Sequence, residues 1–261
     1  MVKNKEYMNI VKPSIVMRKK PDDSLNLETE CLFGESIEIL DTHSDWLFCI
    51  LKTDNYYGWI KKEGVEYLGK ATHRVLNKRT FIFEKKDIKA SIIHYLPMGS
   101  QICVVEIDDN WSKVLLSRKH ICLQGYVPSK HIIQIDKKIK DWVSKAEQLI
   151  NTPYKWGGRD TIGIDCSALL QLSYATYGEM IPRNTSDQIK LPKKLITSTK
   201  NLSRGAVVFW EGHVGIMIDH LNCIHANAFH MKTVIEPLQN IRCRIEKDNK
   251  LIKILDFNEI N

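Results

Sequence analysis

The chain has 261 residues, 43% hydrophobic and 26% charged, with a formal net charge of +7. These are globular proportions, in a chain long enough for two or three small domains with cores of their own. Basic residues come in short clusters such as Arg18-Lys19-Lys20, Lys61-Lys62, Lys85-Lys86 and Lys193-Lys194, not in the concentrated stripe a nucleic-acid surface needs. No run has transmembrane length, and Met1–Ile10 lacks the apolar core of a signal peptide. The seven cysteines (Cys31, Cys49, Cys103, Cys122, Cys166, Cys223 and Cys243) are odd in number and form no CxxC pair. That argues against a disulfide framework or a zinc site. The expectation is a cytoplasmic chain without nucleic-acid partner or membrane attachment.

From residue 14 to 68, short strand-like runs (Ser14–Met17, Ser36–Leu40, Trp46–Leu51, Tyr57–Ile60) alternate with turn clusters such as Pro21-Asp22-Asp23 and Thr53-Asp54-Asn55. Residues 73–135 repeat the plan. Gly34 precedes Trp46 by twelve positions and Gly99 precedes Trp111 by twelve; Trp46 leads Gly58-Trp59-Ile60 by twelve and Trp111 leads Gly125-Tyr126-Val127 by fourteen. A repeat of about 65 residues points to two small barrels rather than one sheet, with the tryptophans in barrel cores. Lys137–Lys140 reads as a linker into a helix that places Ile139, Trp142, Val143, Ala146, Leu149 and Ile150 on one face.

The stretch Tyr154–Gln188 organises the remainder. A glycine-rich turn, Tyr154-Lys155-Trp156-Gly157-Gly158-Arg159, leads to Gly163-Ile164-Asp165-Cys166-Ser167-Ala168, after which Leu169, Leu170, Leu172, Ser173 and Tyr174 keep near-helical spacing up to Gly178. This sets Cys166 at a helix N-terminus, where unpaired N–H groups and the helix dipole favour thiolate over thiol. Such a nucleophile needs a histidine from elsewhere in the chain. Two stand in strand-like runs: His213 in Val207–Ile218 and His225 in Ile224-His225-Ala226-Asn227. Without them Cys166 would read as a small buried hydrophobe. His43, His73, His94, His120, His131, His220 and His230 lack such contexts and read as surface or satisfied structural residues.

In order and spacing, Pro153-Tyr154-x-Trp156-Gly157-Gly158, Asp165-Cys166-Ser167, Pro182-Arg183-x-Thr185-x-x-Gln188, His213-Val214-Gly215 and Ile224-His225-Ala226 resemble the NlpC/P60 family of cysteine peptidases, which cleave peptide stems of bacterial cell walls. Ala168, where the family often has glycine, and Gly205-Ala206-Val207, where it often has Gly-Asp, depart from the pattern without removing a reacting group. Asp45-Trp46 with Gly58-Trp59-Ile60, and more weakly Asn110-Trp111 with Gly125-Tyr126-Val127, resemble bacterial SH3-like (SH3b) domains. The fold expected is two small all-β SH3-like barrels, residues 1–70 and 71–136, followed by an α+β papain-like catalytic domain, residues 137–261.

The resemblance implies Cys166 as nucleophile, His213 as general base and then acid, and His225 as the residue that orients His213. It implies that the Tyr154 hydroxyl lines the site and, with the backbone N–H of Cys166, holds the oxyanion. No metal or cofactor is needed. Among the family, the chain resembles γ-D-glutamyl-L-diamino acid endopeptidases, which act on free murein stem peptides beginning L-Ala-γ-D-Glu during recycling. Tyr56, in Tyr56-Tyr57-Gly58-Trp59, and Asp165 would then read the free substrate amine, Ser167 would bind the γ-D-Glu carboxylate, and Arg183 and Thr185 are further contacts. Beside these stand an exposed loop residue for Tyr56, a helix N-cap for Asp165 and an ion pair for Arg183. Two other functions remain open: an amidase or acyltransferase on the same fold, and a non-catalytic wall-binding SH3b protein.

Overall fold

The alternating runs fold as predicted, into antiparallel sheets. A computed structural model describes residues 6–118 and 123–258; His120, Cys122 and the first half of Met1–Ile10 lie outside the described residues. Two compact units divide the chain. The first is the N-terminal stretch to Lys137 together with Arg159–Thr161, and the second begins at Lys138 and takes the rest.

In the first unit, Ser36–His43, Trp46–Leu51 and Tyr57–Lys61 form a meander in a five-stranded sheet, and Gln101–Ile107, Trp111–Leu115 and Gln124–Pro128 form a second meander in a seven-stranded one. The repeat is structural as well as sequential. Gly34 and Gly99 both take positive φ, +77° and +89°, which glycine adopts without a Cβ penalty. Each first strand then bulges at the same distance from its glycine, between Ile39 and Asp41 and between Val104 and Glu106. A Cβ on Gly58 would sit 2.6 Å from Met17 Cγ, and one on Gly125 would sit 2.3 Å from Ile82 Cγ2; at the matching position of each meander the backbone is crossed closely by another chain segment. Two hydrophobic clusters fill the unit, one around Ile10, Met17, Ile37, Cys49, Leu51 and Ile60, the other around Val75, Ile82, Leu96, Ile102, Val114 and Val127. Trp46 is buried as expected, but Trp59 and Trp111 are half-buried; Trp59 packs at a tilt against Phe48, with ring centres 5.2 Å apart.

Three residues of the 137–261 stretch pack inside this unit. Arg159 is buried and makes a two-pronged ion pair with buried Glu35 (2.9 Å at both nitrogens), a bond to the Glu30 carbonyl (2.7 Å), and a backbone N–H bond to the Glu30 carboxylate (2.8 Å). Asp160 accepts from Tyr95 Oη at 2.8 Å, and Arg79 donates to Thr161 Oγ1 at 2.7 Å. The buried arginine keeps its charge because both terminal nitrogens meet the Glu35 carboxylate and one also the Glu30 carbonyl.

In the second unit the helix expected from Ile139 is short. Helix α1 spans Val143–Glu147, and beyond it the backbone tightens into turns. Trp142, Val143, Ala146 and Leu149 are buried, while Ile150 reaches the surface. Helix α2 (Cys166–Ala175) is buried at every position, as expected of a central helix rather than an amphipathic surface one. It packs on the strands His213–Met217 and Asn222–Asn227. Tyr174 at its end meets Trp142 and Phe257 edge-on, at ring separations of 5.1 and 4.9 Å. A six-stranded antiparallel sheet runs in the order Lys194–Leu195, Leu251–Asp256, Ala206–Trp210, His213–Met217, Asn222–Asn227, Lys232–Pro237. Helices α3 (Thr185–Gln188) and α4 (Leu238–Ile245) complete the unit. Among the described residues no helix is long and apolar enough to cross a membrane.

Candidate active site

Asp165 starts helix α2. Its extended backbone and its carboxylate, which accepts from Ala168 N at 2.8 Å, make it the N-cap. The same carboxylate accepts from Gly157 N (3.0 Å), from Ser167 Oγ (3.1 Å) and from both Arg183 nitrogens (3.0 and 2.6 Å). Arg183 also donates to Ser167 Oγ at 2.7 Å. The set is buried. Asp165 is therefore the helix N-cap weighed in the sequence reading, and its carboxylate is paired with Arg183. Arg183 is the ion-pair partner weighed in the sequence reading. Gln188 supports the same turn, its Nε2 donating to the Ser167 and Pro182 carbonyls at 3.0 and 2.8 Å. Thr185 begins α3, half-buried.

Cys166 is the first residue of α2, and its sulfur accepts from the backbone N–H of Val214, the residue after His213. The helix start and the strand His213–Met217 thus bring nucleophile and base together. His213 Nε2 lies 2.8 Å from His225 Nδ1, which leaves His213 Nδ1 as the nitrogen available to the thiol. Tyr154 is held by a bond from its N–H to the Met231 carbonyl (2.9 Å) and by bridging to Ile164. It sits close enough to Cys166 and Asp165 to feel their charges, and burial above all raises its hydroxyl beyond the ordinary phenol range, so it remains a proton donor.

Burial works against the thiolate expected from the helix N-terminus. Burial pushes the Cys166 thiol up to about 12; the Asp165 charge adds to this, while the Val214 N–H, Arg183 and the Ser167 N–H oppose it. Burial likewise pulls His213 down to about 3, with His225 and Arg244 adding, and His225 down to about 4. Desolvation opposes the helix end and favours the neutral thiol and neutral imidazoles.

Both histidines bind fewer protons folded than unfolded below their ordinary value, so stability is lost as pH falls from about 6.5 toward 3–4. For buried His225 the loss between pH 7.5 and 5 is on the order of 1–2 kcal/mol. A urea midpoint that drops over that range, and drops less in His225→Gln, is the expected result; identical pH dependence in both proteins would contradict it.

A charged pair missing from the sequence reading backs His225. Glu236, on the neighbouring strand, places Oε1 2.8 Å from His225 Nε2 and 3.4 Å from His230 Nε2, and Arg244 of α4 grips both of its oxygens. The signal was present in weak form. Glu236 stands two places beyond Val234, the registered partner of His225, so strand alternation puts it on the histidine's face. It could be read only once the pairing was known. His230, read as peripheral, belongs to this cluster.

Gly215, of His213-Val214-Gly215, leaves room for the Cys223 side chain. A Cβ there would lie 2.5 Å from Cys223 Sγ and 3.6 Å from His225 Cβ. Gly215→Ala is expected to cost about 1–3 kcal/mol by overpacking, read as a lower urea midpoint. Tyr56 belongs to the first unit, half-buried against its core, with its hydroxyl 3.4 Å from Glu28 Oε2. Among the described residues no group of three or more His, Cys, Asp or Glu is arranged to hold a metal ion.

A model of the NlpC/P60 family matches residues 151–243, and a model of the bacterial dipeptidyl-peptidase SH3 domain matches residues 17–65. Dipeptidyl-peptidase 6 of Lysinibacillus sphaericus is 27% identical over 229 residues, covering 80% of this chain and 83% of that protein. Gamma-D-glutamyl-L-lysine dipeptidyl-peptidase of Bacillus subtilis is 23% identical over 224 residues, covering 77% of this chain and 72% of that protein. The crystal structure of an NlpC/P60 family protein from Bacillus cereus shares the fold with a TM-score of 0.83 at 17% identity, covering 97% of this chain and all of the other. The chain thus carries an NlpC/P60 cysteine peptidase domain over residues 151–243, with a bacterial dipeptidyl-peptidase SH3 domain ahead of it at residues 17–65.

Proposed function

We propose that this enzyme hydrolyses the γ-D-Glu–diamino-acid bond (diaminopimelate or lysine) of free murein stem peptides that begin with L-Ala, in the cytoplasm, during cell-wall recycling. The observation that carries the chemistry is the 2.8 Å bond between His213 and His225 beside a cysteine at a helix start. The linkage is supported by the two dipeptidyl-peptidase relatives, which align with this chain over most of their own length.

Cys166 Sγ attacks the γ-carbonyl carbon of D-Glu as its proton passes to His213 Nδ1. The oxyanion so formed is met by the Cys166 N–H and the Tyr154 hydroxyl. Collapse breaks the C–N bond, and His213 hands the proton to the departing amine of the diamino acid. Water then attacks the thioester, giving its proton to His213; the C–S bond breaks, and the thiol is restored. Tyr56 and Asp165 contribute to reading the free N-terminal amine, Ser167 to reading the carboxylate of γ-D-Glu, and Arg183 and Thr185 are further contacts. In this scheme Asp165 holds Arg183 and the helix start.

The test is hydrolysis of L-Ala-γ-D-Glu-diaminopimelate beside its N-acetylated form, with Cys166→Ala as control. Cleavage of the free peptide alone is expected. Equal cleavage of both would remove the amine requirement, and cleavage of neither would overturn the substrate assignment.

A further inference from the structure

We propose that Glu236, clamped by Arg244, is a positioning residue that fixes the protons of the His225–His213 pair so that the bare nitrogen of His213 is the one offered to Cys166. The inference rests on the reading of Cys166, His213 and His225 as the catalytic set, and deepens it.

The geometry fixes the protons in sequence. A carboxylate can only accept, so the 2.8 Å contact between Glu236 Oε1 and His225 Nε2 requires the proton on that nitrogen. Asn227 Nδ2 also lies near it, at 3.2 Å, but the shorter, charged contact decides. His225 Nδ1 is then an acceptor, and the nitrogen 2.8 Å away, His213 Nε2, must be the donor. That leaves a lone pair on His213 Nδ1. The opposite tautomer would leave His213 with no acceptor for the thiol proton, the kind of error that costs an enzyme orders of magnitude in rate.

The charges facing Glu236 come from three elements. From the strand Asn222–Asn227 come His225 and, in register with Glu236 itself, Cys223; from the following turn comes His230; from α4 comes Arg244. The Cys223 thiol is raised by burial and stays neutral. Burial pushes the Glu236 carboxyl up, but the bonds from Arg244 and His225 more than offset this, so it remains charged. Glu236 favours a positive charge on the imidazole pair and Arg244 opposes it. The two residues therefore set the basicity of His213 with opposite signs.

The test reads Cys166 without any substrate. Iodoacetamide alkylation is followed across pH on the tryptic peptide Asp160–Arg183, which contains no other cysteine. In Glu236→Gln the neutral-pH rate is expected to fall about tenfold or more, and the histidine-controlled limb to move to lower pH. In Arg244→Gln that limb should move to higher pH. On the peptide substrate, Glu236→Gln should lower kcat with KM within about twofold. Superimposable profiles, or a shift of both variants in the same direction, would overturn the proposal. Should either variant fail to fold, the ¹⁵N spectrum of the wild-type histidines decides alone: His225 must be protonated at Nε2 and bare at Nδ1, and the reverse refutes the inference. None of these readouts depends on which peptide is cleaved, so failure of the substrate assignment and failure of this inference are distinguishable.

Discussion

Cys166→Ala is expected to lower peptide hydrolysis by at least about 10³-fold while leaving the fold intact. Among the described residues Cys166 is the only cysteine at a helix start, its helix packs on the strand that carries His213, and the Val214 N–H already points at its sulfur. Alanine keeps the helix propensity and loses only a small buried group, so the stability change should stay near 1 kcal/mol. His213→Ala should fall nearly as far, and the double variant little further, because nucleophile and base act as one unit. A residual rate in Cys166→Ala within tenfold of wild type would mean that another group attacks the substrate.

Arg183→Ala is expected to be the most damaging single change to stability in the catalytic unit, by about 3 kcal/mol or more. It strips the cation from the buried Asp165 carboxylate, whose remaining partners are two backbone N–H groups and the Ser167 hydroxyl. Activity should fall with it, because Asp165 sets the first turn of α2 and hence the position of Cys166. The pair can be separated from the cap. Asn caps a helix about as well as Asp and carries no charge, so Asp165→Asn combined with Arg183→Met should recover much of the loss, a coupling readable by a double-mutant cycle of urea midpoints. If Arg183→Ala left the midpoint within about 0.5 kcal/mol of wild type, the carboxylate would have to be solvated, contrary to its burial.

The sequence was most legible where local rules and spacing agree. Ser14–Met17 and Trp46–Leu51 are strands with the bounds their alternation suggests, and Gly34 and Gly99 mark equivalent turns because only glycine takes that backbone cheaply. Cys166, His213 and His225 were legible from motif order, and they converge because a helix start and two adjacent strands deliver them to one place. What escaped depended on contacts between distant segments. Arg159 reads as part of a glycine-rich turn, yet its partners are Glu30 and Glu35, more than a hundred residues earlier. Glu236 reads as one acid in a strand until the register with His225 is known. Asp165 and Arg183 read as separate candidates, and only their 2.6 Å contact shows them as one buried pair. The thiolate expected at Cys166 meets an opposing effect of the same kind: the helix end is local, whereas the desolvation that works against it depends on the strands packed against α2.

The central claim is that Cys166 is acylated through the γ-carboxyl of D-Glu. Acid quenching of the enzyme during turnover of L-Ala-γ-D-Glu-diaminopimelate, followed by mass spectrometry of the peptide Asp160–Arg183, tests it directly. The account predicts an L-Ala-γ-D-Glu acyl group on Cys166, labile to hydroxylamine as a thioester is and missing from Cys166→Ala. Turnover with unmodified Cys166, or with the acyl group on another residue, would contradict it.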